Sequence, residues 1–167
     1  MALIDILLAE FDRETATTRR LLELVPDAAF DWKPHDRSMT LGGLAAHLVN
    51  LPAWIGNVMN HAWFDLAESL DDAKSPAANT AELLSRFDEN VRAARALLVN
   101  RIDDELNEPW TLKRGKQDLF TLPRIGILRY FVLNHLIHHR GQLSIYLRLH
   151  DVPIPAIYEP STDEGPL

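Results

Sequence analysis

The chain contains no cysteine among its 167 residues. That absence excludes a disulfide framework, a Cys-ligated zinc or iron–sulfur site, and a cysteine nucleophile, while saying little about compartment. Positive charge is also short: 17 Lys and Arg stand against 24 Asp and Glu, a formal net charge of −7. Sequence-independent affinity for phosphates comes from clustered Lys and Arg, so DNA and RNA are set aside as partners. Long apolar runs are missing too. Asp, Glu or Arg interrupts each one before the roughly twenty residues that a membrane span needs. The N-terminus, Met-Ala-Leu-Ile-Asp-Ile-Leu-Leu-Ala-Glu, carries an acid at Asp5 and no basic n-region, unlike a secretory leader. The expectation is a cytoplasmic protein with a small-molecule substrate and no membrane partner.

Several catalytic signatures are absent as well. HExxH, GxSxG, the P-loop and GxGxxG do not occur, which argues against those protease, hydrolase and nucleotide-binding mechanisms. No Glu has a His three residues later, so a ferritin-like di-iron site falls away. What the chain does have is 47% apolar residues in a length typical of one domain. A domain of that size folds without a metal or a disulfide, so any metal here serves chemistry. No repeat, low-complexity block or linker divides residues 1–167.

Helical periodicity marks four stretches. In the first, Leu3, Ile4, Leu7, Leu8, Phe11, Leu21, Leu22 and Val25 share one side, and Pro26 stops the run. The second follows a loop with Trp32 and Pro34. Thr40 is its N-cap, and Leu44, His47, Leu48, Leu51, Ile55 and Val58 fall on one face. Pro52 removes a backbone donor inside this run, which predicts a kink near Leu48 or a break into two pieces. From about 65 to 78 the chain turns polar and reads as a connection. Asn79 with Glu82 then forms a capping-box pattern for a third helix, with a seam at Leu84, Phe87, Val91, Ala94 and Leu98. Residues 103–122 fit either two short strands about Gly115 or a long loop. Pro123 suits the first turn of a last helix running to about His150, and the proline-bearing tail, 152–167, is expected to be extended and partly mobile. The fold class predicted is all-α: a four-helix bundle with a long connection before its last helix.

The last helix carries Asn134-His135-Leu136-Ile137-His138-His139-Arg140-Gly141-Gln142. At about 100° per residue, His139 lies roughly 40° from His135, both on the face of Leu128, Phe131, Val132, Leu143 and Tyr146. His138 falls at the margin of that face and Arg140 far from it, where an ion pair or the helix surface is its expected role. His47 occupies the matching stripe of the second helix, between Leu44 and Leu51. A single core histidine is usually a hydrogen-bonded packing residue. Three on facing apolar stripes each need a partner for a buried nitrogen, and one shared divalent ion satisfies all of them. His35, His61 and His150 are assigned to the surface.

The order of these segments is a loop with Trp32 and Pro34, then Leu44-Ala-Ala-His47, then Asn134-His135-x-x-His138-His139-Arg140-Gly141-Gln142-Leu143. It resembles the DinB-like (damage-inducible) superfamily of metal-binding four-helix bundles over nearly the whole chain. The HxxHHRGQ segment is the most specific part. The resemblance implies one histidine from the second helix and two, four residues apart, from the last, binding a divalent ion. The matching positions are His47, His135 and His139, the trio that periodicity selects. It also implies a homodimer, and enzymes that transfer or isomerise through low-molecular-weight thiols or act as metal-dependent hydrolases.

Three neutral imidazoles leave an ion its full positive charge, so water or a thiol at an open position would lose its proton more easily. An external low-molecular-weight thiol in S-transferase or isomerase chemistry is the leading expectation, with ester or amide hydrolysis as the alternative. A noncatalytic metal- or ligand-binding bundle is the rival from another class. One zinc or nickel per chain is expected. Asn50, Gln142 and Tyr146 are the candidates for contacting substrate or orienting a ligand, and Trp54 has the spacing to line a cavity or pack the core. No motif marks a catalytic acid or base.

Overall fold

The first helix, α1, spans Leu3–Leu22 in the computed structural model, which describes residues 2–67 and 77–164. The stop at Pro26 holds, with Val25 buried just beyond the helix end. The second predicted helix is broken in two by Pro52: α2 (Leu41–Asn50) and α3 (Trp54–Asn60) are separated by a 3-10 turn, Leu51–Ala53. The tertiary amide has no N–H to continue the α-helical ladder, and a tighter turn absorbs the deficit. Thr40 caps α2 as its pattern predicts, its hydroxyl accepting from the Gly43 amide at 3.0 Å. Gly42 lets the chain before the helix come close, because a Cβ there would lie 2.9 Å from the Phe30 ring.

The third bundle helix, α4, covers Thr80–Leu98. Asn79 accepts from the Glu82 amide at 2.9 Å and the Glu82 carboxylate accepts from Ala78 at 2.8 Å. Its buried face differs from the predicted seam in one place. Leu83 is fully buried, whereas Leu84 is only partly covered. Residues 68–76 of the expected connection lie outside the described residues. A short helix, α5 (Asp103–Asn107), follows. The last helical stretch is α6 (Arg124–Ile127), a π-helical turn at Leu128–Leu133, and α7 (Asn134–Arg148). Both α1 and α2 pack against α4 and α7, which closes the bundle.

The all-α expectation needs correction. Three strands form a small sheet in the order β1 (Trp63–Asp65), β2 (Pro109–Arg114), β3 (Gln117–Pro123). The two-strand option about Gly115 is the one realised. β2 and β3 are antiparallel, and Gly115, at φ +59°, occupies the first central position of their two-residue turn. A left-handed conformation there favours glycine. β1 runs parallel to β2, and the Asp65 carboxylate accepts from the Gly115 amide at 2.9 Å. Trp110 and Leu112 alternate inward to cover one end of the bundle.

Through Glu164 the tail is extended and tied to the bundle. The Asp163 carboxylate accepts from Arg148 at 2.5 Å and from the Ile154 amide at 2.9 Å, and Ile154 is buried. Two apolar clusters make the core. One holds Leu44, Leu48, Phe87, Leu136 and Leu143; the other holds Phe11, Val58, Trp110, Ile127 and Leu133. Among the described residues, no helix is long and apolar enough to cross a membrane.

Candidate metal centre

Along the chain, His135 falls between Leu133 of one apolar cluster and Leu136 of the other, on the side of α7 that meets α2. His47 reaches it from α2, and their Nε2 atoms are 3.2 Å apart. His139, one turn further along α7, packs its ring 4.5 Å from His47 and 4.7 Å from His135, centroid to centroid. All three are half-buried, and each offers a nitrogen within 4.8 Å of the others.

The outer edges of two rings are already held. His139 Nδ1 lies 2.7 Å from Gln142 Oε1, so the amide oxygen accepts its N–H and leaves Nε2 as the free lone pair. The His135 ring is hydrogen-bonded to the backbone carbonyl of Phe131, in the π-helical turn. Metal-binding histidines are commonly oriented in this way, by an acceptor on the nitrogen opposite the metal. The protonation balance agrees. Burial, then the repulsion of His139 and His135, pushes the His47 imidazole down to about 4. Burial and His139 also lower His135, against the opposing Phe131 hydrogen bond. Imidazole nitrogens within 4.8 Å of one another, two of them on rings whose charged form is disfavoured, suit a divalent cation of intermediate softness, so the residues present fit the ion expected from the sequence.

Beside His47 and His135 lies a cavity of about 260 Å³. Its other walls are Trp54, Leu66, Trp110, Leu112, Ile127 and Phe131. The Trp110 indole N–H is turned to the Asn57 carbonyl at 3.4 Å. Apart from the two histidines, no ionisable side chain lines this cavity among the described residues.

The other candidates fall in different places. Gln142 contacts His139. Asn50 is exposed at the end of α2. Tyr146 donates to the Met39 carbonyl at 3.4 Å and packs edge-on to Trp32. His138 is exposed, with its ring edge on His139. His150 is not simply a surface residue, because its ring sits 4.4 Å from Trp32 and its Nε2 is buried. Trp54 does line the cavity. Sequence reasoning missed Leu66, Trp110, Leu112 and Ile127. Alternation of Trp110 and Leu112 was the available signal, but nothing local said which surface the strand would cover.

On a separate face of α7, Arg140 is 1% exposed and its guanidinium meets the Glu14 carboxylate at 2.6 Å. It also donates to the Glu14 backbone carbonyl at 3.1 Å and to the Tyr158 hydroxyl at 2.5 Å, while that hydroxyl donates to Glu14 at 2.9 Å. A depression of about 610 Å³ between α7 and the tail touches this cluster. Within the cluster, Arg140, Glu14 and Tyr158 are engaged with one another.

Fold and side chains thus define a helical bundle with a three-histidine centre able to hold a metal ion. The chain belongs to the DinB family, whose model matches residues 3–166. It is 26% identical over 161 residues to the YrdA protein of Bacillus subtilis (strain 168), covering 96% of this chain and 91% of that one. The fold is shared with a DinB-like protein from Bacillus cereus ATCC 10987, at TM-score 0.71 and 19% identity over 91% of this chain and 95% of the other. A DinB-like protein of Bacillus subtilis, YjoA, superposes at TM-score 0.68 and 19% identity, over 87% and 92% of the two chains. A protein of Exiguobacterium sibiricum 255-15 assigned to the same family gives 0.67 at 20% identity, over 97% of each.

Proposed function

We propose that the protein is a metal-dependent enzyme that works with an external low-molecular-weight thiol, of S-transferase or isomerase type, and holds one zinc or nickel ion through His47, His135 and His139. The observation that carries this reading is the convergence of three imidazoles, two of which line an apolar cavity. A divalent ion held there supplies positive charge that lowers the pKa of a thiol brought to it and polarises an electrophile beside it. His47 and His135, neutral near pH 7, present lone pairs without first losing a proton. Gln142 and the Phe131 carbonyl keep two of the rings turned inward. Trp54, Trp110 and Phe131 give the space next to them apolar walls.

The nucleophile has to come from outside. The chain has no cysteine, and apart from the two histidines the residues lining the cavity are carbon-rich. A thiolate is large, soft and weakly hydrated, and so tolerates such walls better than hydroxide does. The walls also carry no charged side chain that could face the oxyanion of an ester or amide. The test is metal analysis of tag-free wild type beside His135→Ala, followed by thiol-conjugation and ester-hydrolysis assays on the loaded protein. The expected result is about one ion per chain, lost in the variant, with turnover that requires added thiol. Turnover of esters without thiol would replace this reading with a hydrolase. Failure to take up zinc or nickel would end both.

A further inference from the structure

We infer that the cavity beside the histidines is a binding compartment for the uncharged, apolar part of a small organic molecule, with a single polar group turned toward His47 and His135. The inference deepens the proposed enzymatic reading and names the substrate class for that site. It stands on the walls themselves. Trp54, Leu66, Trp110, Leu112, Ile127 and Phe131 present aliphatic and aromatic surface, and Trp110 has committed its indole N–H to Asn57. A carboxylate or phosphate placed among them would have no cation to face and would carry a large cost of desolvation. The two buried arginines among the described residues are committed elsewhere. Arg140 is bound to Glu14 and Tyr158, and Arg124 is bound to Glu108 and to the backbone carbonyl of Val58. The polar end of a ligand therefore has one direction to take, toward the imidazoles.

Volume limits the size. A dry protein cavity of about 150 Å³ takes one benzene ring, so a space of about 260 Å³ takes roughly ten non-hydrogen atoms on the same scale. A substituted phenyl ring or a branched alkyl chain fits. A tripeptide-sized or phosphorylated molecule does not fit inside and would have to remain in front of the histidines. An arrangement with the apolar reactant in the cavity and the thiol at the open side separates the two partners of the proposed transfer.

The test uses benzylacetone, which is neutral with one carbonyl, against hydrocinnamate, an anion of closely similar size. Binding to the full-length protein is measured by calorimetry and tryptophan fluorescence, with and without zinc. The zinc-free protein gives the decisive comparison, because the anion then has no ion to bind. The expected outcome is saturable binding of benzylacetone, roughly ten-fold or more tighter than hydrocinnamate, from the cost of burying an unpaired carboxylate. Leu66→Trp, at a half-buried position on the cavity wall, should abolish it while the circular dichroism spectrum stays unchanged. Phe131→Ala should retain benzylacetone and admit its naphthyl analogue. Equal binding of the anion without zinc, or unchanged benzylacetone affinity in Leu66→Trp, would overturn the inference. His139→Ala separates the two readings, since His139 is not a wall of the cavity. Loss of metal with retained benzylacetone binding supports the compartment independently. Metal uptake in wild type with no benzylacetone binding removes the compartment and leaves the metal centre standing.

Discussion

Two neighbouring residues of α7, His139 and Arg140, point into the protein on different sides and belong to opposite kinds of polar cluster. Around Arg140 the donors and acceptors are matched. The guanidinium faces the Glu14 carboxylate, a backbone carbonyl and the Tyr158 hydroxyl, which in turn bonds to Glu14. Around His139, three bases face one another, and the closest contact is between two Nε2 atoms of His47 and His135. That contact serves as a hydrogen bond when one ring carries its proton on Nε2 and as a pair of metal ligands when neither does, whereas the ion pair with its matched hydrogen bonds offers no free lone pair to a cation. Burial of polar groups therefore does not by itself mark a functional site. Complementarity within the cluster separates the strut from the site.

Substitutions sharpen that contrast. The largest effect expected is at the histidine cluster: His139→Ala should reduce bound metal from about one ion per chain to none by elemental analysis, with little change in urea stability of the metal-free protein. Arg140→Met should do the reverse. It strands Glu14, which is 5% exposed, without its counter-charge, and loss of one partner of a buried pair costs about 3–5 kcal/mol. Urea denaturation checks this, and the double variant with Glu14→Gln should recover a large part. If the single Arg140 variant loses metal but no stability, the two clusters are not distinct.

Gln142→Ala lies on the boundary between the two outcomes. It removes the acceptor from His139 Nδ1 and should weaken metal affinity by about 10–100-fold in a competition titration while leaving the fold intact. Tyr158→Phe should cost about 1 kcal/mol by removing one hydrogen-bonding hydroxyl from the strut, with metal affinity unchanged.

A further effect is on pH dependence. In the metal-free protein His47 stays neutral down to about 4, whereas the unfolded chain takes up a proton near the ordinary histidine value of 6.5. Unfolding therefore absorbs a proton between these values, and stability falls as pH drops through that window, then levels off below about 4. Urea midpoints for wild type and His47→Gln, measured from pH 7 to pH 4, should differ in slope in that direction.

The two clusters were not equally readable in the sequence. His135 and His139 fall on one stripe by spacing alone, and His47 shares a stripe with Leu44 and Leu48, so the trio emerges from periodicity. Pro52 likewise announces the break between α2 and α3. Arg140, by contrast, lies well away from the histidine face, and periodicity assigns it an ion pair or the surface. It is buried because α7 is covered by α1 as well as α2, and its partner Glu14 looks like an ordinary position of α1 in one dimension. Strand β1 was hidden for a similar reason. Trp63-Phe64-Asp65 is a three-residue segment whose partners begin at Thr111, and no local signal reports a pairing across that distance. The cavity inherits this blindness, since one wall comes from β2.

The π-helical turn at Leu128–Leu133 has a consequence best put in genetic terms. Its Arg129 carbonyl accepts from the Asn134 amide, one residue further along than an α-helix allows, which is what one extra codon within an otherwise regular helix produces. Each added residue turns the following side chains by about 100°. The helical phase of the core upstream, at Ile127 and Leu128, is thereby offset from that of the histidines downstream. Both sides still answer to the cavity, which Ile127 lines from before the turn and His135 from after it, so the extra residue has to be kept for the two to meet there.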